Sequence, residues 1–476
     1  MILRDYQSRA VEAVLSSLDE RPILCMPTGS GKTITAVEII KRFGLRTIFM
    51  AHRRELISQA ASHLLKYGIK AGIIQSGFTE HRSLPVQVAS VQTLARRDAP
   101  HSDLVIVDEC HHVTNANTYN RILAKYPHAK LLGLTATPQR LDGRGLGTTF
   151  SKIIIATTAR ELCNNGTLLA PIVYAPPSDS MQGVRITMGD YNMAQAAERH
   201  DKPKLIGAII ETWLKHAIDR RTICFAINIA HSRHIVDRFI QAGVAAEHLD
   251  GTMPAVQRAG ILRRLRTGET TIVSQCNVLT EGWDLPSLEV AIIARPTASV
   301  VLHLQMLGRI MRAADGKDGA LCLDHTSNSH RHGLVTDDRV WSLDDTAKAR
   351  RTAPGETVVR TCPECYLIVP AGCHECPGCG HEFKVETAVP KEHSGELVLQ
   401  ESFWTSVARR AAKANDNKKR FWSNAFQWAG DYKRERGISD YAAFALIAKE
   451  RGYKEGWAKV AFKNKFGRWP SNAERV

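Results

Sequence analysis

Ile23-Leu-Cys-Met26, followed directly by Pro27-Thr-Gly-Ser-Gly-Lys-Thr33, decides the fold class. A short apolar strand runs into a glycine-rich turn, and the turn opens an amphipathic stretch from Ile34 to Phe43 that reads as a helix. Strand, turn and helix in that order make a P-loop, because the turn can present a row of backbone N–H groups at a helix N-terminus. Gly29 and Gly31 let the chain curl around phosphate oxygens, with Thr28 and Ser30 contributing backbone to the same cradle. Lys32 is long enough to reach the β- and γ-phosphates of a nucleotide, and the Thr33 hydroxyl can ligate Mg²⁺. A glycine-rich turn that binds nothing is the bland alternative; Lys-Thr in the right register argues against it.

Outward from this turn, β-rich apolar runs alternate with amphipathic helical stretches: Pro22 to Met26, Thr47 to Ala51, Val86 to Ser90, Leu104 to Val107 and Leu131 to Leu134. Such alternation predicts an α/β lobe with a parallel sheet. After a less regular, proline-containing passage from Ala170 to Lys204, the rhythm returns at Thr222 to Ala226, Thr271 to Ser274, Val290 to Ala294 and Ala320 to Leu323. A second similar lobe is therefore expected. The boundaries read as residues 1–168 and 169–345 for the lobes, 355–388 for a cysteine-bearing segment and 395–476 for a basic helical module.

Asp108-Glu109-Cys110-His111 ends the apolar run Leu104 to Val107. Carboxylates at the C-terminal end of a buried parallel strand open into the ligand crevice of such folds. Two adjacent acids can divide the work there: Asp108 in the Mg²⁺ shell with Thr33, Glu109 orienting and deprotonating an attacking water. An acidic strand-end turn is the alternative for Asp-Glu alone, and the P-loop upstream weakens it.

In order along the chain, these and further segments resemble the motifs of helicase superfamily 2, DEAD/DEAH-box type, over about Met1 to Asp324. Leu3-Arg-Asp-Tyr-Gln7 is similar to the adenine-reading Q-type motif, which implies Arg4 and Gln7 near the base. Ala51-His-Arg-Arg-Glu-Leu56 and Val91-Gln-Thr-Leu94 are similar to strand-contacting segments, implying nucleic-acid contacts from Arg53, Gln92 and Thr93. Asp108 to His111 resembles motif II in its DECH spelling, and Thr135-Ala-Thr-Pro138 resembles motif III. Cys224-Phe-Ala-Ile-Asn228 resembles motif IV. Asn277-Val-Leu-Thr-Glu-Gly-Trp-Asp284 resembles motif V, with Thr280 by the nucleic acid and Gly282 and Asp284 by the ribose and γ-phosphate. Gln305-Met-Leu-Gly-Arg-Ile-Met-Arg312 resembles motif VI, making Gln305, Arg309 and Arg312 catalytic candidates beside Lys32 and Glu109. Guanidinium planes can neutralise a transferring phosphoryl group only when two lobes close. Without the other motifs, Arg309 and Arg312 would read as a basic helix face. The combination with a later cysteine cluster looks most like the RadD-like bacterial and phage helicases. The resemblance implies two RecA-like lobes, ATP and Mg²⁺ as cofactors, and DNA ahead of RNA as the track, with protein partners in replication or repair. The sequence leaves polarity and oligomeric state open.

Cys362-Pro-Glu-Cys365 and Cys376-Pro-Gly-Cys379 form a C-x2-C-x10-C-x2-C pattern. Two such turns can close a tetrahedral Zn²⁺ site, and a segment this short could hardly fold without the metal. A zinc ribbon is the resemblance. Cys373, His374 and His381 lie close by and leave the fourth ligand open.

At 476 residues the chain should bury at least two cores, and its 44% hydrophobic and 23% charged content is ordinary for a globular protein. No apolar run approaches the roughly 20 residues of a membrane span. The start, Met1-Ile-Leu-Arg-Asp, lacks an export pattern, so no membrane partner and a cytoplasmic location are expected. The net charge of +15 favours a polyanionic partner. From Gly395 to Val476 there are 17 Lys and Arg against 9 Asp and Glu, with five of the eight tryptophans: Trp404, Trp422, Trp428, Trp457 and Trp469. Cations interleaved with aromatics suit phosphates and stacked bases; the competing reading has Trp422, Phe426 and Trp428 filling a small helical core. The functional expectation is an ATP-driven nucleic-acid motor that steps along a strand. Its rivals are a duplex translocase or remodeller that never separates strands, and a zinc-dependent nucleic-acid-binding recruitment protein. The latter would predict a damaged motif I, II or VI, and none is damaged.

Overall fold

Apolar runs at the P-loop strand and its neighbours assemble into a wholly parallel seven-stranded sheet in the computed structural model. The structure describes residues 3–113, 118–176, 181, 183–187, 189–279, 283–344, 359–383, 423, 425–450 and 457–471. The strands are β1 (Pro22–Cys25), β2 (Thr47–Ala51), β3 (Ala71–Ile74), β4 (Val86–Ser90), β5 (Leu104–Asp108), β6 (Lys130–Thr135) and β7 (Lys152–Ile155). Their order is β3-β4-β2-β5-β6-β1-β7. Because β6 lies between β1 and β5, the P-loop, Thr135 and Asp108 all leave the same carboxyl edge of the sheet. That edge is where parallel α/β sheets hold ligands.

A second sheet follows, with β8 (Pro171–Tyr174), β11 (Thr222–Phe225), β12 (Ala246–Asp250), β13 (Ile272–Cys276), β14 (Val290–Ile293) and β15 (Ala320–Asp324). It is again parallel, in the order β12-β13-β11-β14-β15-β8. A short antiparallel hairpin, β9 (Ile186–Thr187) with β10 (Asp190–Tyr191), precedes β11. The interior strands are apolar on both faces because helices cover both sides. β3, β7, β8 and β12, absent from the apolar-run reading, are the four edge strands of the two sheets. An edge strand is only partly covered, so β7 keeps an exposed Ile155 and β12 carries Glu247 and His248. β8 begins on a proline, which an edge tolerates.

One buried apolar cluster contains residues of both sheets, with Leu168, Met306, Leu307 and Met311 among its members. Past the second sheet the chain returns to the first lobe: Gly147 N–H donates to Leu343 O at 2.7 Å, and Arg160 pairs with Asp338 at 3.1 Å. A small antiparallel hairpin then forms from β16 (Val359–Thr361) and β17 (Ile368–Pro370). It docks on the β8 edge, where Ala175 N–H donates to Tyr366 O at 3.0 Å.

The chain divides into two compact units, Met1–Lys384 and Val385–Val476. In the second, helical residues 425–436, Asp440–Glu450 and Trp457–Phe466 pack around Ala429, Phe444, Ile447, Ala461 and Phe462. Phe426, Trp428 and Trp457 pack against this core, so these aromatics follow the core reading. Trp404, Trp422 and the cations Lys418 to Arg420 lie outside the described residues. Among the described residues no helix is long and apolar enough to cross a membrane.

Candidate active site

The P-loop backbone turns through two left-handed glycines, Gly29 at φ +85° and Gly31 at φ +88°. Gly31 caps the helix Lys32–Phe43, and a Cβ there would sit 2.4 Å from Gln7 Nε2. Both the conformation and the space require glycine. Lys32 Nζ donates to Met26 O at 3.2 Å, folded back over the loop, while Thr33 is half-buried at the first turn of the helix. Ser30 Oγ donates to Pro27 O at 2.7 Å and closes the turn.

Gln7 and Tyr6 grip this loop from the helix Asp5–Leu15. Tyr6 OH and Gln7 Nε2 both donate to Ser30 O, at 2.7 and 3.0 Å. Gln7 Oε1 accepts Arg4 N–H at 3.0 Å, and the Arg4 guanidinium lies 3.5 Å from Tyr6 OH. A base edge would thus have one remaining amide proton and one lone pair of Gln7. The sequence pattern gave no sign that the same glutamine braces the phosphate loop.

Glu109 takes a left-handed backbone, φ +48°, at the end of β5. Its N–H donates to Asp108 Oδ1 at 3.1 Å. Glu109 Oε2 is buried, makes no hydrogen bond and stands 3.4 Å from His111 Nδ1. A buried carboxylate oxygen without a donor is costly unless something polar is meant to occupy the site. A nucleophilic water fits that need.

His111 occupies the centre of the lobe junction. Its Nδ1 lies 3.0 Å from Thr135 Oγ1 of the first lobe, and its Nε2 lies 3.2 Å from Gln305 Nε2 of the second. Around it, His112 packs between His52 and His111, with ring centroids 4.2 and 4.3 Å apart. His112 is thereby assigned a packing role that the motif pattern could not supply. Arg53, expected on nucleic acid, donates from Nη1 to Val278 O across the junction. Gln92 Nε2 donates to His52 O at 3.1 Å, and Thr93 sits half-buried in the short helix Val91–Leu94.

Motif VI leaves the helix Val300–Gly308 directly over the P-loop. A Cβ on Gly308 would meet Thr28 Cβ at 2.8 Å, and one on Gly29 would meet Arg312 Cγ at 3.1 Å. Lys32, Thr33, Asp108, Glu109, Gln305, Arg309 and Arg312 are therefore gathered about one junction. Arg309 is buried and donates from Nη1 to Trp283 O at 2.6 Å. Arg312 forms an ion pair with Asp284. Thr280 and Gly282 lie outside the described residues.

In the ribbon, the Sγ atoms of Cys362, Cys365, Cys376 and Cys379 all lie within 4.8 Å of one another. Cys362 to Cys379 and Cys365 to Cys376 are each 3.6 Å apart. A Zn–S bond of about 2.3 Å sets a tetrahedral edge of roughly 3.8 Å, so the donor set and its size both fit zinc. Cys373 stands outside the group.

Residues 1–140 match the family model of the type III restriction enzyme res subunit, and residues 201–314 match the helicase conserved C-terminal domain. A 51.5 kDa protein of a Lactococcus phage is 30% identical over 402 residues, spanning 83% of this chain and 86% of its own. The putative ATP-dependent helicase IRC3 of Saccharomyces cerevisiae is 28% identical over 68% of this chain, which spans about half, 51%, of the yeast protein. The DNA 3'-5' translocase XPB2 of Sulfurisphaera tokodaii is 26% identical over 66% of this chain and 79% of its own. Among solved structures, a fragment of a putative HsdR subunit of a type I restriction enzyme from Vibrio vulnificus has a TM-score of 0.56 at 22% identity, covering 70% of this chain and 66% of that one. The DNA-bound type ISP restriction-modification enzyme LlaBIII has a TM-score of 0.52 at 19% identity, over 68% of this chain and 27% of its own. At these identities the structural likeness concerns the fold alone.

Proposed function

The chain belongs to superfamily 2 of the helicases, DEAD/DEAH-box type, a family of ATP hydrolases that act on nucleic acid, and from that premise we propose that it is a DNA motor whose ATP site is completed by lobe closure. The observation that carries this reading is the approach of motif VI to the P-loop, with Gly308 against Thr28 and Arg312 against Gly29.

ATP would lie on the P-loop, with Gln7 and Arg4 at the base. Backbone N–H groups from Thr28 to Thr33 and the Lys32 ammonium hold the phosphates. Thr33 and Asp108 would hold Mg²⁺, which, when bound, neutralises charge on the β- and γ-oxygens. Glu109 orients the water and takes its proton. Arg309 and Arg312 leave Trp283 O and Asp284 to face the transferring phosphoryl group, and charge developing there rewards closure. Hydrolysis removes that reward, so the lobes part; the cycle alternates grip on a strand. Arg53 and the carbonyl of Val278 lie where the two lobes would trade such a grip.

DNA is preferred because the translocase relative is named for it, and the cationic second unit suits any phosphate backbone. Translocation along duplex without unwinding is the second reading, favoured by that same relative. ATPase rates measured side by side with single-stranded DNA, duplex DNA, forked DNA and RNA test the proposal. Stimulation by RNA alone, or by no nucleic acid, would overturn it; strand-displacement and triplex-displacement assays then divide unwinding from translocation. Four thiolates holding one structural zinc complete the proposal.

A further inference from the structure

Motif VI ends in a problem of backbone chemistry. The helix Val300–Gly308 stops just before Arg309, so the carbonyls of the arginine-bearing segment have no following helical turn to bond them. Two are met by one side chain from outside the motif. Lys317 Nζ lies 2.6 Å from Ile310 O and 2.7 Å from Arg312 O, and its third proton is directed to Pro286 O at 3.3 Å. An ammonium has three donors and no acceptor, and here all three reach carbonyls.

We infer that Lys317 is a positioning residue for the ATPase reaction: it pins the segment Ile310–Arg312 to the loop after Asp284, and so fixes the backbone from which Arg309 and Arg312 turn toward the P-loop. The chain is built to bring it there. Lys317 N–H donates to Ala314 O at 3.1 Å across a turn whose Gly316 has φ +74°, and the turn folds the lysine back beneath motif VI. The partners bracket both arginines, since Asp284, two residues before Pro286, pairs with Arg312, and Arg309 donates to Trp283 O. Lys317 therefore ties the loop after motif V to the end of motif VI, just beyond the C-terminus of the helix Val300–Gly308.

Burial pushes the Lys317 ammonium down to about 8. The charged groups acting on it are Glu289, which opposes that fall, and Arg220 and Arg312, which add to it; Glu289 pairs with Arg220 at 3.2 Å and Arg312 with Asp284, while Asp315 and Asp318 of its own loop are exposed. The protonated form that satisfies three carbonyls is thus present below about 8 and is lost above it.

The inference rests on the reading of Arg309 and Arg312 as groups that meet the phosphoryl, and steady-state ATPase of the full chain tests the two separately. Lys317→Met should lower kcat about tenfold or more while KM for ATP stays within about twofold, because the group acts on transition-state contacts and not on ground-state binding. Lys317→Arg should recover most of kcat. Wild-type kcat should decline as pH rises through about 8, and Lys317→Arg, whose charge persists, should carry that decline to higher pH. An unchanged kcat in Lys317→Met would overturn the inference, as would coincident pH profiles for wild type and Lys317→Arg, the variant that keeps the fold if Lys317→Met does not. Arg309→Ala hydrolysing at the normal rate would instead remove the arginine assignment itself.

Discussion

His111 Nε2 and Gln305 Nε2 meet at 3.2 Å across the junction of the two lobes. Hydrogen-bond chemistry fixes which atom gives and which takes. Gln305 Nε2 can only donate, so His111 Nε2 accepts and Nδ1 is the ring nitrogen left to donate. Nδ1 lies 3.0 Å from Thr135 Oγ1, and the Thr135 hydroxyl in turn donates to Thr137 O at 3.1 Å. One directional chain thus runs from motif VI through motif II to motif III. It passes within 3.4 Å of Glu109 Oε2, so the carboxylate proposed to activate water borders the contact between the lobes.

Removing either end should cost catalysis more than fold. Gln305→Ala and His111→Ala are each expected to lower nucleic-acid-stimulated kcat about tenfold, the value of one buried hydrogen bond with its unsatisfied partner, roughly 1–2 kcal/mol. The double variant should lose little more than either single one. Additive losses in that double-mutant cycle would show that the two side chains do not act through each other.

The candidate site was legible because its residues are local in sequence: Gly29 to Thr33, Asp108-Glu109 and Arg309 each stand out by residue type and spacing. The two sheets were legible where strands are buried on both faces. What escaped is nonlocal. Of the edge strands only β12 lacks an apolar run, broken by Glu247 and His248; β3, β7 and β8 carry short ones, and what makes them strands is the neighbour each finds on one side. The grip of Gln7 on Ser30, the Arg53 bond to Val278 O and the Lys317 clamp depend on where distant carbonyls end up, and no periodicity encodes a carbonyl. The second unit was half legible: its helices follow their apolar spacing, yet only packing separates Trp428 and Trp457 from Trp469.

A buried polar chain in the second lobe should set its acid limit. Ser232 Oγ lies 2.7 Å from His248 Nδ1, and His248 Nε2 lies 2.7 Å from Asp250 Oδ2. The order of groups imitates a hydrolase triad, but Ser232 is wholly buried and bonded to Ser274 Oγ at 2.7 Å, so it is structural. Burial pushes the Asp250 carboxyl up, but hydrogen bonds from Thr252 and His248 outweigh it and bring it down to about 2. A carboxyl depressed on folding contributes stability above its unfolded value near 3.9 and loses it as pH falls toward 2. Asp250→Asn should therefore lower stability at neutral pH by about 2 kcal/mol and flatten the decline in Tm between pH 4 and pH 2. Parallel Tm profiles for the two proteins would sink this account.

Zinc should prove structural and tied to the second lobe. Metal analysis is expected to give about one zinc per chain, lost in Cys362→Ser with Cys365→Ser. Because Tyr366 O accepts Ala175 N–H beside β8, loss of the ribbon should speed amide exchange at Ala175 and in β8 while leaving β1 protected. Retention of zinc by the double variant would bring Cys373, His374 or His381 into the ligand set.

Nucleic-acid contact by the second unit should depend on its last helix and the turn after it, and not on the half-buried Trp428 and Trp457 that pack on its core. Residues 457–471 carry Lys459, Lys463, Lys465 and Arg468 and no acid, while Trp469 is 52% and Phe466 41% exposed. Lys463 Nζ stands 4.4 Å over the Trp469 ring, so a cation and a stacking face are presented together. Lys465 is engaged with Asp440 at 3.1 Å and has less charge to offer. In binding titrations of the full chain with a single-stranded oligonucleotide, Trp469→Ala should weaken affinity by roughly 1–2 kcal/mol, about the value of one stacked base, without changing the salt slope. Lys463→Ala should reduce that slope by about one, the signature of a lost phosphate contact. Trp457→Ala serves as the contrast: its ring packs on the helical core, so it should lower the melting temperature of the unit before it touches the slope. If Trp469→Ala binds as tightly as wild type, the exposed aromatics serve some surface other than a nucleic-acid strand.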